Sequence, residues 1–171
     1  MTEEVKIYRQ GEKEPILSEG EKAAMEYRRQ LENGNLQRAH RLGEALCSLF
    51  LGMPVAGEFA AQQWVLLSFL AENELEHQVG NSIISQSAHS RFAELLEQQS
   101  PELARTVHDA RAFTLYTLNE TRRTPRSEGE IFAKLCGKPE QEEVIALGEH
   151  LAEEFTSRIT AAVSAAGFLT E

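Results

Sequence analysis

The chain has 171 residues, 42% hydrophobic and 26% charged, which suits one globular domain with a sizeable core. Its formal net charge of -10 repels a phosphate backbone and an anionic lipid surface, so no nucleic acid and no membrane are expected as partners. The acidity is carried by Glu, with Asp109 the only Asp, and because Glu tolerates helix interiors while Asp favours caps and turns, this bias predicts an all-α chain.

Residues 1–17 combine charges, Gly11 and Pro15 with little periodicity. They read as an extended or mobile N-terminal arm, tied down by Ile16 and Leu17, ahead of a single helical domain over 18–171. The N-terminus lacks the apolar segment of a secretory signal, and Cys47 and Cys136 belong to no C-x-x-C pair. Both features predict reduced thiols in a cytoplasmic protein.

Ser18-Glu19-Gly20-Glu21 is a capping box and predicts a helix to about Glu32, with Ala24, Tyr27 and Leu31 facing inward. Asn33-Gly34-Asn35 ends it. Leu36, Ala39, Gly43, Leu46 and Phe50 then share one face of a helix over 36–51, stopped by Gly52-Met53-Pro54. The segment 57–80 contains Trp64-Val65-Leu66-Leu67-Ser68-Phe69-Leu70-Ala71, apolar on all sides. Such a helix belongs in the middle of a core, since the run is too short for the ~20 apolar residues that a bilayer needs.

Residues 82–99 predict a further helix, with Ile83, Ile84, Phe92, Leu95 and Leu96 as its apolar residues. Ser100-Pro101-Glu102 starts the next, expected to continue to about Thr121 and to be deeply packed in its second half. A second capping box, Ser127-Glu128-Gly129-Glu130, opens a short helix through Cys136. The last helix runs over 140–166 on a stripe of Val144, Leu147, Leu151, Phe155 and Ile159. Gly167 stops it, and Phe168 and Leu169 are placed to dock back on the bundle. The repeated capping box and the echo of Leu42-Gly43-Glu44 in Leu147-Gly148-Glu149 are what a duplicated helical unit would leave, with Gly43 and Gly148 at close crossings. Gly34-Asn35-Leu36-Gln37-Arg38-Ala39 has the flavour of a tetratricopeptide-repeat turn. The resemblance covers about six residues and lacks both the preceding motif and a second copy.

Two constellations could carry chemistry. Glu74 and His77 form E-x-x-H, which sets a carboxylate and an imidazole on one helix face. This resembles half of the paired motif in ferritin-like diiron proteins; the second E-x-x-H is missing here. His108-Asp109 resembles the His-Asp pair of the HD-type metal phosphohydrolases, whose metal activates water for attack on phosphorus. His77 or His89 is available as that family's earlier His. Its later Asp has no counterpart, so Glu149 or Glu153 would have to replace it. Arg122, Arg123 and Arg126 form a basic loop able to grip an anion or a protein partner, or simply to balance Glu128 and Glu130. No Gly-rich phosphate loop and no G-x-S-x-G occurs.

The expected fold is therefore an all-α, single-domain bundle of about six or seven helices around a buried central helix. The leading functional expectation is a non-catalytic cytoplasmic interaction or scaffold protein without a cofactor, which binds a protein partner or a second copy of itself. The alternative is a metal-dependent hydrolase or ferritin-like protein using a divalent metal at Glu74, His77, His108 and Asp109. That alternative requires these side chains to converge.

Overall fold

The computed structural model describes residues 16–121 and 127–168. Most of the expected arm, the basic loop with Arg122, Arg123 and Arg126, and Leu169 lie outside the described residues.

Helix α1 (Glu19–Glu32) opens with the capping box that the sequence predicts. The Glu21 N–H donates to Ser18 Oγ at 3.2 Å, and the Ser18 N–H donates to the Glu21 carboxylate at 2.8 Å. Gly34, at φ 81°, makes the left-handed turn into α2 (Asn35–Leu51). There Leu36, Ala39, Gly43, Leu46 and Phe50 are buried on one face, as their spacing predicts. Helix α3 (Ala60–Val79) is buried continuously from Val65 to Ala71. It packs against every described helix except α1. Its apolar run ends at Glu72, and Glu76 and His77 are exposed.

Helix α4 (Ser82–Gln99) starts from Asn81, whose side-chain oxygen accepts the N–H groups of Ile83 and Ile84 at 3.0 and 3.2 Å. The helix expected over 101–121 is two: α5 (Pro101–Thr106) and α6 (Ala110–Glu120). The cause is Asp109. Its carboxylate accepts the Ala112 N–H at 3.0 Å and so starts a new helix where the apolar pattern alone would continue the old one. With α7 (Ser127–Leu135) and α8 (Glu142–Ala165), the described residues form eight helices rather than six or seven, and no strand. The expected deep packing of the segment's second half is not found. Only Ala112 and Tyr116 of α6 are buried, and Leu118 is exposed, because this short helix lies on the bundle with one face.

On α8, Val144, Leu151, Phe155 and Ile159 are buried, but Leu147 faces outward. Gly148 takes the inward place, since a Cβ there would meet Phe132 Cβ at 2.8 Å. Gly43 plays the same part on α2, where a Cβ would lie 2.8 Å from Arg91 Cβ and against the Ala88 carbonyl of α4. Both glycines thus sit at close crossings. Gly43 faces α4, however, whereas Gly148 faces α7, so the echoed motifs do not occupy equivalent packing environments.

Phe50 anchors the middle of the core, 5.3 Å edge-on to Phe92 and 4.9 Å from Trp64 between ring centres. Burying a ring of this kind contributes about 1.5–3 kcal/mol. At the other end, Tyr116 of α6 stacks on Phe69 of α3 at 5.0 Å. Among the described residues, no helix is long and apolar enough to cross a membrane.

Candidate interaction surface

Helix α1 contradicts its expected orientation. Ala24, Tyr27 and Leu31 face outward, and the one buried residue of the helix is Gln30. Hydrogen bonds hold the helix down. Gln30 Nε2 and Asn81 Nδ2 both donate to Glu26 Oε1, at 2.5 and 3.0 Å. Asn35 Nδ2 donates to Gln30 Oε1 at 2.6 Å, and Arg38 Nη1 donates to Asn35 Oδ1 at 2.8 Å. Arg38 then reaches the C-terminal end of α8. Its Nε and Nη2 donate to the Ala166 carbonyl at 2.9 and 2.6 Å, and its guanidinium lies 4.6 Å from the centre of the Phe168 ring. A cation at a helix C-terminus is favourably placed against the backbone dipole. One chain of polar contacts therefore runs from the N-cap of α4 through α1 and α2 to the end of α8. Its hydrogen bonds, with the Arg29 ion pair at 3.0 Å, hold the Glu26 carboxyl below its ordinary value; the largest effect is that of Gln30.

An apolar stripe runs along the exposed side of α1, flanked by exposed charges such as Glu21 and Arg28. Tyr27 is 52% exposed and Leu31 56%, and Gly20 and Ala24 lie in line with them. Leu17, just before the helix, is also exposed, and Ile16 is 92% exposed, so neither side chain anchors the chain in the core. Met25 is exposed off the stripe. Beside Tyr27, a recess of about 370 Å³ extends toward α4, lined in part by Ile83, Gln86 and Arg91. Arg91 bridges Glu44 of α2 and Glu94 of α4, at 3.0 Å each, and so fixes the far wall of that recess. The sequence carries a signal for this orientation. Gly20, Ala24, Tyr27 and Leu31 follow spacings of four, three and four, the narrow seam of a coiled coil rather than the broad face of a core helix.

The residues considered for metal chemistry fall in two places. Glu74 and His77 line a recess of about 640 Å³ at the end of α3, together with Asn73, Glu120 and Glu128. Within it, Glu74 accepts a hydrogen bond from Gln78 Nε2 at 2.6 Å, and His77 Nδ1 lies 2.8 Å from the Asn73 carbonyl. Asn73 Nδ2 donates to Glu120 at 2.7 Å, and burial pushes the Glu120 carboxyl up despite that bond. His108 and Asp109 line a different recess, of about 250 Å³, between α5 and α6, and the Asp109 carboxylate is used there as the α6 cap. Among the described residues, no three His, Cys, Asp or Glu side chains are grouped so as to hold a metal ion.

His89, which sequence reasoning offered only as a spare ligand, is the histidine most affected by its surroundings. Its Nε2 lies 3.9 Å from Glu72 Oε2 across the α3–α4 contact, and its ring lies 6.1 Å from that of Phe92. Burial pushes the imidazole below its ordinary value. Glu72 opposes that shift and nearby His108 adds to it. Cys47 and Cys136 are both free thiols, each raised by burial, Cys136 to about 11. Thiols so rarely ionised are poor nucleophiles.

Comparison with family models, with curated proteins and with solved structures finds no match for this chain.

Proposed function

We propose that this protein is a non-catalytic helical interaction protein whose contact surface is the outward face of α1. The observation that carries the reading is the orientation of that helix. Its apolar seam of Ala24, Tyr27 and Leu31 is exposed, while a polar network of Glu26, Gln30, Asn35 and Asn81 fixes its underside to the bundle. A helix held to the bundle by hydrogen bonds with its apolar seam outward is preorganised for helix-to-helix docking, which reduces the ordering cost of association. The chemistry-bearing side chains support this reading from the other direction. Asp109 caps a helix, Glu74 and His77 line a recess apart from that of His108, and the two cysteines are held protonated.

The reading is tested by placing a photo-cross-linking phenylalanine analogue at Tyr27 of the full chain in the cells that make it. A control carries the analogue at Glu153, exposed on α8. Discrete cross-linked species from position 27 and none from position 153 are expected. The absence of any product at 27, or equal yields at both positions, would overturn the assignment of the surface.

A further inference from the structure

We infer that the occupant of the α1 seam is a second copy of this chain, docked antiparallel so that the two α1 helices pair about a twofold axis. The inference rests on the surface assignment made above and adds the identity of the partner.

The seam is self-complementary in size. Gly20 and Ala24 lie in its first half, Tyr27 and Leu31 in its second. In an antiparallel helix pair, the two seam positions of each heptad face one another in layers. Setting Ala24 opposite the partner's Tyr27 sets Gly20 opposite the partner's Leu31, and symmetry repeats both layers. Each large side chain then meets a small one. Room exists for this, because a Cβ built on Gly20 would find nothing within 4 Å. A parallel pair would instead place Leu31 against Leu31 and Gly20 against Gly20, crowding one end and leaving the other empty.

The seam is also self-complementary in charge. Glu21 and Arg28 are both exposed and stand two helical turns apart on the same flank. The register set by the Ala24–Tyr27 layers brings Glu21 against the partner's Arg28, twice per dimer. Glu21 uses its Oε2 in the capping box, which leaves its other oxygen for a second partner, and no ion pair within the described residues engages Arg28. In a parallel pair the same flank would not join these opposite charges. Isologous pairing of one patch with itself is the commonest way for a chain to form a closed dimer.

Helix α1 has 14 residues, hence a length of about 21 Å. A pair of such helices supplies a contact at the small end of specific interfaces, near the ~1,000 Å² that separates weak from stable association. The expected dimer is therefore concentration-dependent.

The test is sedimentation of the full chain from about 1 μM to several hundred μM, a span that brackets weak specific association. A monomer–dimer equilibrium is expected. Leu31→Asp, at an exposed position that leaves the core intact, and Arg28→Glu should each weaken it by at least about tenfold, while Arg28→Lys should largely keep it. In the double variant Gly20→Cys with Leu31→Cys, oxidation should give a covalent dimer that neither single variant gives, because only antiparallel pairing brings positions 20 and 31 together.

A dimer unaffected by Leu31→Asp would overturn both this inference and the surface assignment. Cross-linking of Gly20→Cys alone would overturn the antiparallel arrangement. A monomer at every concentration would overturn self-pairing. Cross-linking at position 27 to a different protein would then show that the surface assignment survives without it.

Discussion

Tyr116 is 1% exposed, yet among the described residues its hydroxyl finds no hydrogen-bond partner. Burial, with smaller effects of Cys136, Glu128 and Asp109, pushes its ionisation far above the ordinary range, so the group is a neutral, unsatisfied hydroxyl beside Phe69. An orphaned polar group retains its desolvation cost, and removing it relieves that cost. Tyr116→Phe is therefore expected to preserve the stack on Phe69 and to leave stability unchanged or raised by up to about 1 kcal/mol. Urea denaturation checks this, and a loss of more than about 1 kcal/mol would mean that the hydroxyl makes a bond worth keeping. Gln30 presents the opposite case. It is 3% exposed and polar, and its side-chain hydrogen bonds with Glu26, Asn33 and Asn35 go into the α1 anchorage.

Between elements, glycines mark close approaches. Gly43 admits α4 to α2, and Gly148 admits α7 to α8, where Gly129 also lies against the Ile145 carbonyl. An added methyl group at Gly43 would meet backbone and Cβ atoms of α4 that no rotamer change can clear, and at Gly148 it would meet the Cβ as well as the ring of Phe132, so turning the ring alone does not make room. Gly43→Ala and Gly148→Ala are each expected to destabilise by about 1–3 kcal/mol, in spite of the better helix propensity of Ala. Gly20→Ala, at an open position, should be neutral or stabilising by a few tenths to about 1 kcal/mol. Thermal unfolding of the three variants separates the cases. An equal response from all three would remove the crossing argument.

Over the whole molecule, two attachments titrate in different windows. The His89 imidazole, between α3 and α4 with Glu72 and His108 facing it, has a folded value below its ordinary 6.5. Between those two values the unfolded chain binds more protons than the folded one, so stability falls as pH drops below about 6.5. Glu26 has a folded value below its ordinary 4.5. Its contribution is present above 4.5 and is lost as pH falls through the folded value. Acidification is thus expected to act in two stages. The first is a general loss of stability that His89→Gln abolishes. The second, below about pH 4.5, loosens α1 from the bundle first, because its anchorage passes through the Glu26 carboxylate. Hydrogen exchange resolved by helix, measured between pH 7 and 4, reads both stages. Uniform loss of protection across all helices below pH 4.5 would contradict the second.

Much of this architecture was legible in local chemistry. The capping box at Ser18, the buried face from Leu36 to Phe50, the all-apolar turns from Val65 to Ala71 and the stop after Ala166 each follow from contacts within one or two helical turns. Other features depended on which surfaces meet. Asp109 carries no mark in the sequence of the helix it starts; that role is seen only in the Ala112 N–H that its carboxylate accepts. Leu147 and Gly148 compete for the inward place on α8, and the nearness of Phe132 decides it for the glycine. The narrow spacing of the α1 seam suits a helix partner, but which side of the helix meets the bundle depends on contacts with α2 and α4. By itself the sequence determined where helices start, stop and carry an apolar stripe, because those are short-range properties of the backbone and its side chains. Only the tertiary structure decided that Gln30, rather than Leu31, turns inward, because that depends on Asn35 of α2 bonding Gln30 and on Asn81, at the start of α4, bonding the Glu26 carboxylate that Gln30 also meets.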